Sequence, residues 1–479
     1  MTGAEMPTPL PTKPQKTEHF IFAVFEDDVA DMIAALKPAH AGFLAARGFT
    51  GKAGSLVVLP SGLGSNEMGG MWAWFGLGTR KDFTPLIFRA LPTQLPKGTW
   101  KLKSGKLKDG ADLDLHSVHV AWGLGSYSFG TYKASSKPVE ARLDDADLIG
   151  TEREAIALEV QAHDRVRDLV NTPANDMGPA QIEACARSIA KAHGAEIGVI
   201  TGELLKQSYP AVYAVGKAAA AENAPRFIEM AWQPAKPRGV LPHICLVGKG
   251  VAFDTGGLNI KTSGMGLMKK DMGGGAHVLA LAEWIMASQL NVKLHVLIPA
   301  VENAISGNAM RPGDVLRTRA GLTVEVGNTD AEGRLILADA LTRAGELEPA
   351  LTVDFATLTG AARVALGPDV VPFYCDDEEV VRQLEIASIA QFDPLWRMPL
   401  WAGYNDALDS DIADLKNDPS AWAQAGSVTA ALFLKRFAPK TGAWIHLDIY
   451  AWNPRSKAGA PVGGEAQALR AVYQLIRAY

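Results

Sequence analysis

From about residue 243 onward the chain alternates short apolar runs with helical patterns, and the joints between them are rich in glycine and carboxylates. Residues 243–247 read as a buried strand. Residues 272–288 open on three glycines and continue as a helix. Residues 292–299 read as a strand, Leu322, Val324 and Val326 alternate as another, and residues 335–344 are helical. Leu351, Val353 and Phe355 alternate again, as do Trp444, His446 and Asp448 against Ile445, Leu447 and Ile449. Strand and helix in succession predict an α/β domain with a mainly parallel central sheet flanked by helices. In such sheets ligands gather beyond the carboxyl ends of the strands.

A chain of 479 residues is too long for one ordinary core. Residues 18–150 are expected to form a smaller N-terminal α/β domain and residues 151–479 the larger C-terminal one. In the first, residues 20–25, 55–59, 71–76 and 117–123 read as strands. Residues 28–46 read as an amphipathic helix through Met32, Ile33, Leu36, Phe43 and Leu44, broken or kinked at Pro38. Residues 133–147 have no clean period and carry the domain connection. Thr151 and Glu154 form a capping box before a helix reaching Val170, which Pro173 stops. Residues 1–17, rich in Pro, Thr and Lys, lack a signal peptide's apolar stretch and read as a flexible tail.

Several function classes recede on composition. A net charge of −5 gives no sign of a basic surface for nucleic acid or anionic lipid. No run of 18 apolar residues exists, so no membrane span is expected. Cys185, Cys245 and Cys375 are odd in number and form no CxxC pair, which argues against a disulfide framework or thiolate zinc site and for a reducing, cytoplasmic setting. Cys245, in an apolar run, reads as a core thiol.

Three clusters hold the unusual residues. Residues 248–257 place Lys249 and Asp254 among glycines, and the loop reads either as a tight turn or as a ligand cradle without a P-loop or complete dinucleotide fingerprint. Lys261 and then residues 269–275 place Asp271 before a glycine-rich helix start, where it reads as an N-cap or as a ligand. Residues 328–335 hold Asp330, Glu332 and Arg334, an acidic helix N-terminus or a functional pair. If one sheet edge collects Asp254, Asp271, Asp330 and Glu332, their repulsion calls for cations. Oxygen-rich sites suit manganese, magnesium or zinc, and no HExxH zinc helix is present.

At these residues the sequence resembles the leucyl aminopeptidases, the di-metal cytosolic exopeptidases. VGKGVAFDTGGLNIK, LMKKDMGG and NTDAEGRLILADAL carry the resemblance, supported by residues 167–175, 356–361 and 426–433, and it covers residues 160–479. The N-terminal domain shows no motif that matches. The resemblance implies that Lys249, Asp254, Asp271, Asp330 and Glu332 hold two divalent cations, with Asp254 and Glu332 bridging. It implies that Lys261 polarises the scissile carbonyl and that Arg334 holds a bicarbonate acting as general base. It places Met268, Thr357, Leu358 and Gly360 around the first side chain of a peptide substrate, a methionine-lined pocket suited to leucine-like residues. It also implies a homohexamer built as two trimers.

Two departures stand out. The segment between Lys261 and Asp271 is one residue shorter than in the best-known members, which leaves side-chain preference open. Residues 448–452 and 461–465 differ from the family pattern; His446 and Asp448 read as structural. Rival readings are a Cys-Gly or other dipeptidase on the same scaffold, a DNA-binding regulator, a catalytically dead relative, and a Rossmann dehydrogenase. The intact set of Lys249, Asp254, Lys261, Asp271, Asp330, Glu332 and Arg334 argues against decay.

Overall fold

The computed structural model describes residues 18–63, 69–104, 113–134, 138–419 and 422–479. The expected tail at 1–17 and part of the connection at 133–147 lie outside them. The chain divides into two compact units between Ile156 and Ala157.

The N-terminal unit is an α/β domain on a five-stranded sheet. Its strands are β1 (His19–Phe25), β2 (Leu56–Pro60), β3 (Met71–Gly78), β4 (Gly98–Ser104) and β5 (Ala141–Leu143), in the order β2-β3-β1-β4-β5. Only β2 runs antiparallel to its neighbour. Alternate residues of β1 feed opposite faces: Ile21, Ala23 and Phe25 join Trp122 on one side, and Val24 joins Leu44 and Trp74 on the other. Pro38 does break the first helix, and it opens the second at its N-terminus.

Two expectations fail here. Residues 117–123 are not a strand but part of a helix, Leu115–Gly125. Asp114 caps it, its carboxylate accepting from the N–H groups of His116 and Ser117. Val118 and Val120 alternate only because nearly the whole circumference is buried. The helix Gly150–Asn171 is held at its start not by Thr151 and Glu154 but by Glu152, whose Oε2 accepts from Ile149 N at 2.9 Å.

The larger unit centres on a nine-stranded, mainly parallel sheet. Its strands are β6 (Glu196–Thr201), β7 (Arg226–Trp232), β8 (His243–Gly248), β9 (Gly250–Asp254), β10 (Lys293–Asn303), β13 (Leu351–Ala356), β14 (Val371–Tyr374), β15 (Leu395–Arg397) and β17 (Ala443–Asp448). A separate three-stranded sheet joins β11 (Val315–Arg317), β12 (Thr323–Glu325) and β16 (Leu415–Lys416). The strands β17, β13, β8 and β10 are adjacent and parallel, and β9 continues β8 beside β10. Leu246, Val296 and Phe355 pack on the side of the helix Gly273–Ala287, and Val247, Leu297 and Val301 on the side of the helix Glu332–Glu346. Cys245 is fully buried in this second layer, and burial pushes its thiol above the ordinary range.

Two consequences position the site. Because β9, β10, β13 and β17 run the same way, Asp254, Asn303, Ala356 and Asp448 end neighbouring strands at one edge. The glycines of residues 273–275 serve close packing: a Cβ on Gly274 would lie 2.0 Å from Phe355 O and 2.8 Å from Lys249 N. Gly274→Ala should therefore cost at least about 3 kcal/mol, measured by chemical denaturation; a loss under 1 kcal/mol would show that the helix can shift without strain.

Candidate metal centre

Lys249 sits in the break between β8 and β9, anchored by its N–H to Phe355 O at 3.0 Å and by its carbonyl to Gly275 N at 2.7 Å. Its buried Nζ lies 2.9 Å from Asp271 Oδ2 and 2.9 Å from Glu332 Oε1, and donates to Thr357 O at 3.0 Å. Lys261, at the mouth, lies 2.7 Å from Asp254 Oδ2 and 2.5 Å from Asp330 Oδ1. Ligand oxygens of Asp254, Asp330 and Glu332 fall within 4.8 Å of one another. The structure thus brings all four carboxylates and both lysines together, although Asp330 and Glu332 follow the small sheet rather than the main one.

Neither acidic residue at a helix start acts as a cap. The helix after Asp271 begins at Gly273 with Met272 as an uncapped N-cap, and the helix at Glu332 has the uncapped Ala331. Asp271 Oδ2, Asp330 Oδ1 and both Glu332 oxygens are buried without a hydrogen bond among the described residues. The lysines stand at ion-pair distance from three of them.

The electrostatics follow from crowding. Burial and Asp254 push the Asp330 carboxyl up to about 6, against Lys261. Burial, then Asp254, raises Glu332 well above its ordinary range. Burial works the same way on Asp271, yet Lys249 and Lys270 hold it below its usual value. For Lys249 and Lys261 burial would lower the pKa; the carboxylates, Asp271 and Asp254 foremost, outweigh it and raise both. Burial lowers Arg334 below its ordinary value.

Asn303 and Asn417, which the sequence did not single out, hold the carboxylates in place together with Thr357 and Asp448. Asn303 faces Asp254 across β9 and β10, and its Nδ2 donates to Asp254 Oδ1 at 2.8 Å. Asn417 Oδ1 accepts from Gly327 N and Asn328 N, bracing the loop that carries Asp330. Thr357 Oγ1 donates to Asp271 Oδ1 at 2.8 Å. Asp448 accepts from Leu358 N, Thr359 N, Thr359 Oγ1 and Ser427 Oγ. His446, one strand turn earlier, pairs with Asp354 at 2.6 Å inside the sheet. Asp448→Ala would orphan these donors at about 1–3 kcal/mol each and loosen the loop bearing Thr357. A Tm drop with a 10–100-fold loss of metal affinity is expected, as for groups that orient ligands; unchanged affinity in the folded variant would limit Asp448 to stability.

The cluster opens on a cavity of about 530 Å³ lined by Met268, Thr357, Leu358 and Gly360 as well as Lys249, Asp254, Lys261, Asp271 and Asp330. Glu332 and Arg334 lie behind it, 1% and 7% exposed. Arg334 Nη1 donates to Asn417 O, and among the described residues no carboxylate pairs with the guanidinium. Lys270, Arg363 and Tyr450, which the sequence did not mark as lining residues, share the wall.

Residues 164–473 match the family described as "Cytosol aminopeptidase family, catalytic domain". Residues 21–144 match "M17 aminopeptidase, N-terminal domain", so the similarity extends through the domain in which no motif was legible. A probable cytosol aminopeptidase from Roseiflexus castenholzii is 39% identical over 371 residues, 74% of either chain. The crystal structure of a cytosol aminopeptidase from Coxiella burnetii is 40% identical and superposes with a TM-score of 0.88 over 97% of this chain and 98% of that one. The bottromycin maturation enzyme BotP, solved in complex with Mn, is 31% identical with a TM-score of 0.82 over 96% and 99%. Both halves of the chain, and the whole of its fold, point the same way: it belongs to the M17 cytosol (leucyl) aminopeptidase family, a family of metal-dependent exopeptidases.

Proposed function

We propose that the chain removes the first residue of peptides with a broad, leucine-like preference, at a pair of divalent cations held by Lys249, Asp254, Asp271, Asp330 and Glu332. The observation that supports it most is the set of buried carboxylate oxygens without hydrogen bonds, brought from two segments to the side of Asp254. Their hard oxygen donors suit manganese, zinc or magnesium, and the relative solved with manganese favours the first. When bound, such a pair supplies Lewis acidity and a water of lowered pKa.

The chain's own residues do the rest. Asp254, Asp330 and Glu332, with ligand oxygens within 4.8 Å of one another, would hold the cations together with Asp271 and Lys249. Lys261, held at the mouth beside Asp254 and Asp330, would present an ammonium to the charge that develops on the scissile carbonyl oxygen. The buried guanidinium of Arg334, lacking a carboxylate partner among the described residues, fits a small anion, and bicarbonate there would supply a general base. Met268, Leu358 and Gly360 offer an apolar wall to the first side chain, while Thr357 both lines the cavity and steadies Asp271.

The test is hydrolysis of leucine p-nitroanilide against its N-acetylated form by chelated protein with Mn²⁺, Zn²⁺ or Mg²⁺ restored, beside Asp330→Ala. Metal-restored cleavage of the free-amine substrate alone, lost in the variant, is expected. Equal cleavage of the acetylated form would end the exopeptidase reading.

A homohexamer acting in the cytoplasm completes the proposal; relatives carry the name cytosol aminopeptidase. Light scattering should give about six times the 51.0 kDa chain, and a monomer mass would contradict it. No described helix is long and apolar enough to cross a membrane.

A further inference from the structure

We propose that Lys270, Arg363 and Tyr450 form a carboxylate-recognising wall of the same cavity, so that peptides beginning with glutamate or aspartate are substrates alongside those beginning with leucine. The proposal rests on the aminopeptidase reading and adds a substrate class to it. Lys270 is 8% exposed, and its Nζ sits 4.9 Å from the centre of the Tyr450 ring. Among the described residues that ammonium makes no hydrogen bond and no ion pair. Its sequence neighbour Asp271 acts on it only through its charge and makes its direct contacts with Lys249 at 2.9 Å and Thr357 at 2.8 Å. The guanidinium of Arg363 lies 5.5 Å from the same Tyr450 ring, likewise without an ion pair among the described residues.

A cation held out of water without a directly paired anion is costly, and an aromatic face recovers only part of that cost. Lys270 lines a cavity, so an anionic ligand can supply the missing partner. Its position favours the first side chain of the substrate. Lys270 shares the 3-10 helix Met265–Met272 with Met268, and Arg363 stands three residues after Gly360 on the helix Gly360–Leu366, hence on the same face. Met268 and Gly360 are the residues proposed above to border that side chain. The pocket is therefore mixed, with an apolar wall for leucine and a cationic wall for a carboxylate. A second source of carboxylate is the C-terminus of a very short peptide, and the test separates the two.

The experiment measures kcat/KM of the Mn²⁺-loaded full chain on tripeptide amides that begin with Glu, Gln or Leu. Glutamate should be cleaved at least about tenfold faster than the isosteric glutamine. Lys270→Met should erase that ratio, and Arg363→Gln, at an exposed position that does not threaten folding, should lower it severalfold. A Glu-to-Gln ratio near one in the unmodified chain, or a ratio that neither variant moves, overturns the proposal while leaving leucine hydrolysis and the aminopeptidase reading intact. Cleavage of Leu-Gly far above Leu-Gly amide, with that difference lost in Lys270→Met, would also overturn it, because the recognised carboxylate would be the C-terminal one. If no peptide is cleaved, the aminopeptidase reading fails, and calorimetry of free glutamate against glutamine on the Mn²⁺-loaded chain decides the subsite alone: tighter glutamate upholds it, equal binding overturns it.

Discussion

Lys261→Ala should lower kcat for leucine p-nitroanilide by about 10²–10³-fold and change KM little, with the cations held at saturation. The ammonium of Lys261 stands at the cavity mouth, 2.7 Å from Asp254 and 2.5 Å from Asp330. A fixed positive charge at that place matters little to a neutral amide and much to the oxyanion that replaces it. Loss of an interaction made only in the transition state falls on kcat. Replacement also frees Asp254 and Asp330 from a competing cation, so metal affinity should hold or rise. Steady-state kinetics beside equilibrium dialysis with Mn²⁺ check both halves. An unchanged kcat would remove Lys261 from the chemistry, and a loss that disappears at higher Mn²⁺ would make it a metal-site residue only.

Glu332→Gln should weaken Mn²⁺ binding by more than about 100-fold, since groups that merely orient ligands already cost 10–100-fold. The same substitution should leave the metal-free fold as stable or more so. In that state the Glu332 carboxyl is held far above its ordinary value of 4.5 by burial and by Asp254, so the fold favours its proton. A carboxyl with a raised pKa takes stability away as pH rises from the unfolded value toward the folded one. Gln carries no proton to lose and abolishes that slope. Metal-induced stabilisation, about 4 kcal/mol at a thousandfold excess over Kd, should shrink accordingly. Thermal melts from pH 5 to 8 with and without Mn²⁺ read all of this. A variant that gains as much Tm from Mn²⁺ as the parent would show that Glu332 is not a ligand.

The acidity of Asp330 sets a further expectation. With its carboxyl raised to about 6, protons compete with the cations below that pH. Mn²⁺ affinity should fall about tenfold per pH unit below 6 for each proton displaced. Calorimetry at pH 5, 6 and 7 checks it, and a flat profile would place Asp330 outside the ligand set.

What was legible in the sequence was what is local in it. Lys249 and Asp254, then Asp271, then Asp330 and Glu332 each stand in short glycine-marked segments at the ends of strands or the starts of helices. Parallel strands then carry these ends to one edge, so the cluster follows from pattern and topology together. The residues that hold it could not be read in that way. Asn303 stands 49 positions from Asp254, and Asp448 stands 90 from the Leu358 amide it receives. Each is a lone polar residue at a strand end until register places it opposite its partner. Lys270 was hidden by its neighbour: a lysine beside an aspartate reads as a charge pair, and only the geometry shows Asp271 turned toward Lys249 instead. The misread helix Leu115–Gly125 failed for a different reason. Burial on nearly all sides removes the 3.6-residue signal, and two valines two apart then imitate a strand.

The most direct test of the central claim is the number and place of the cations. Metal analysis of the dialysed, Mn²⁺-loaded chain, with anomalous scattering from its crystals, should give two ions per chain. They should lie about 3.5–4 Å apart, ligated by Lys249, Asp254, Asp271, Asp330 and Glu332. A fully active protein with a single ion, or with ions bound away from these side chains, would contradict the account.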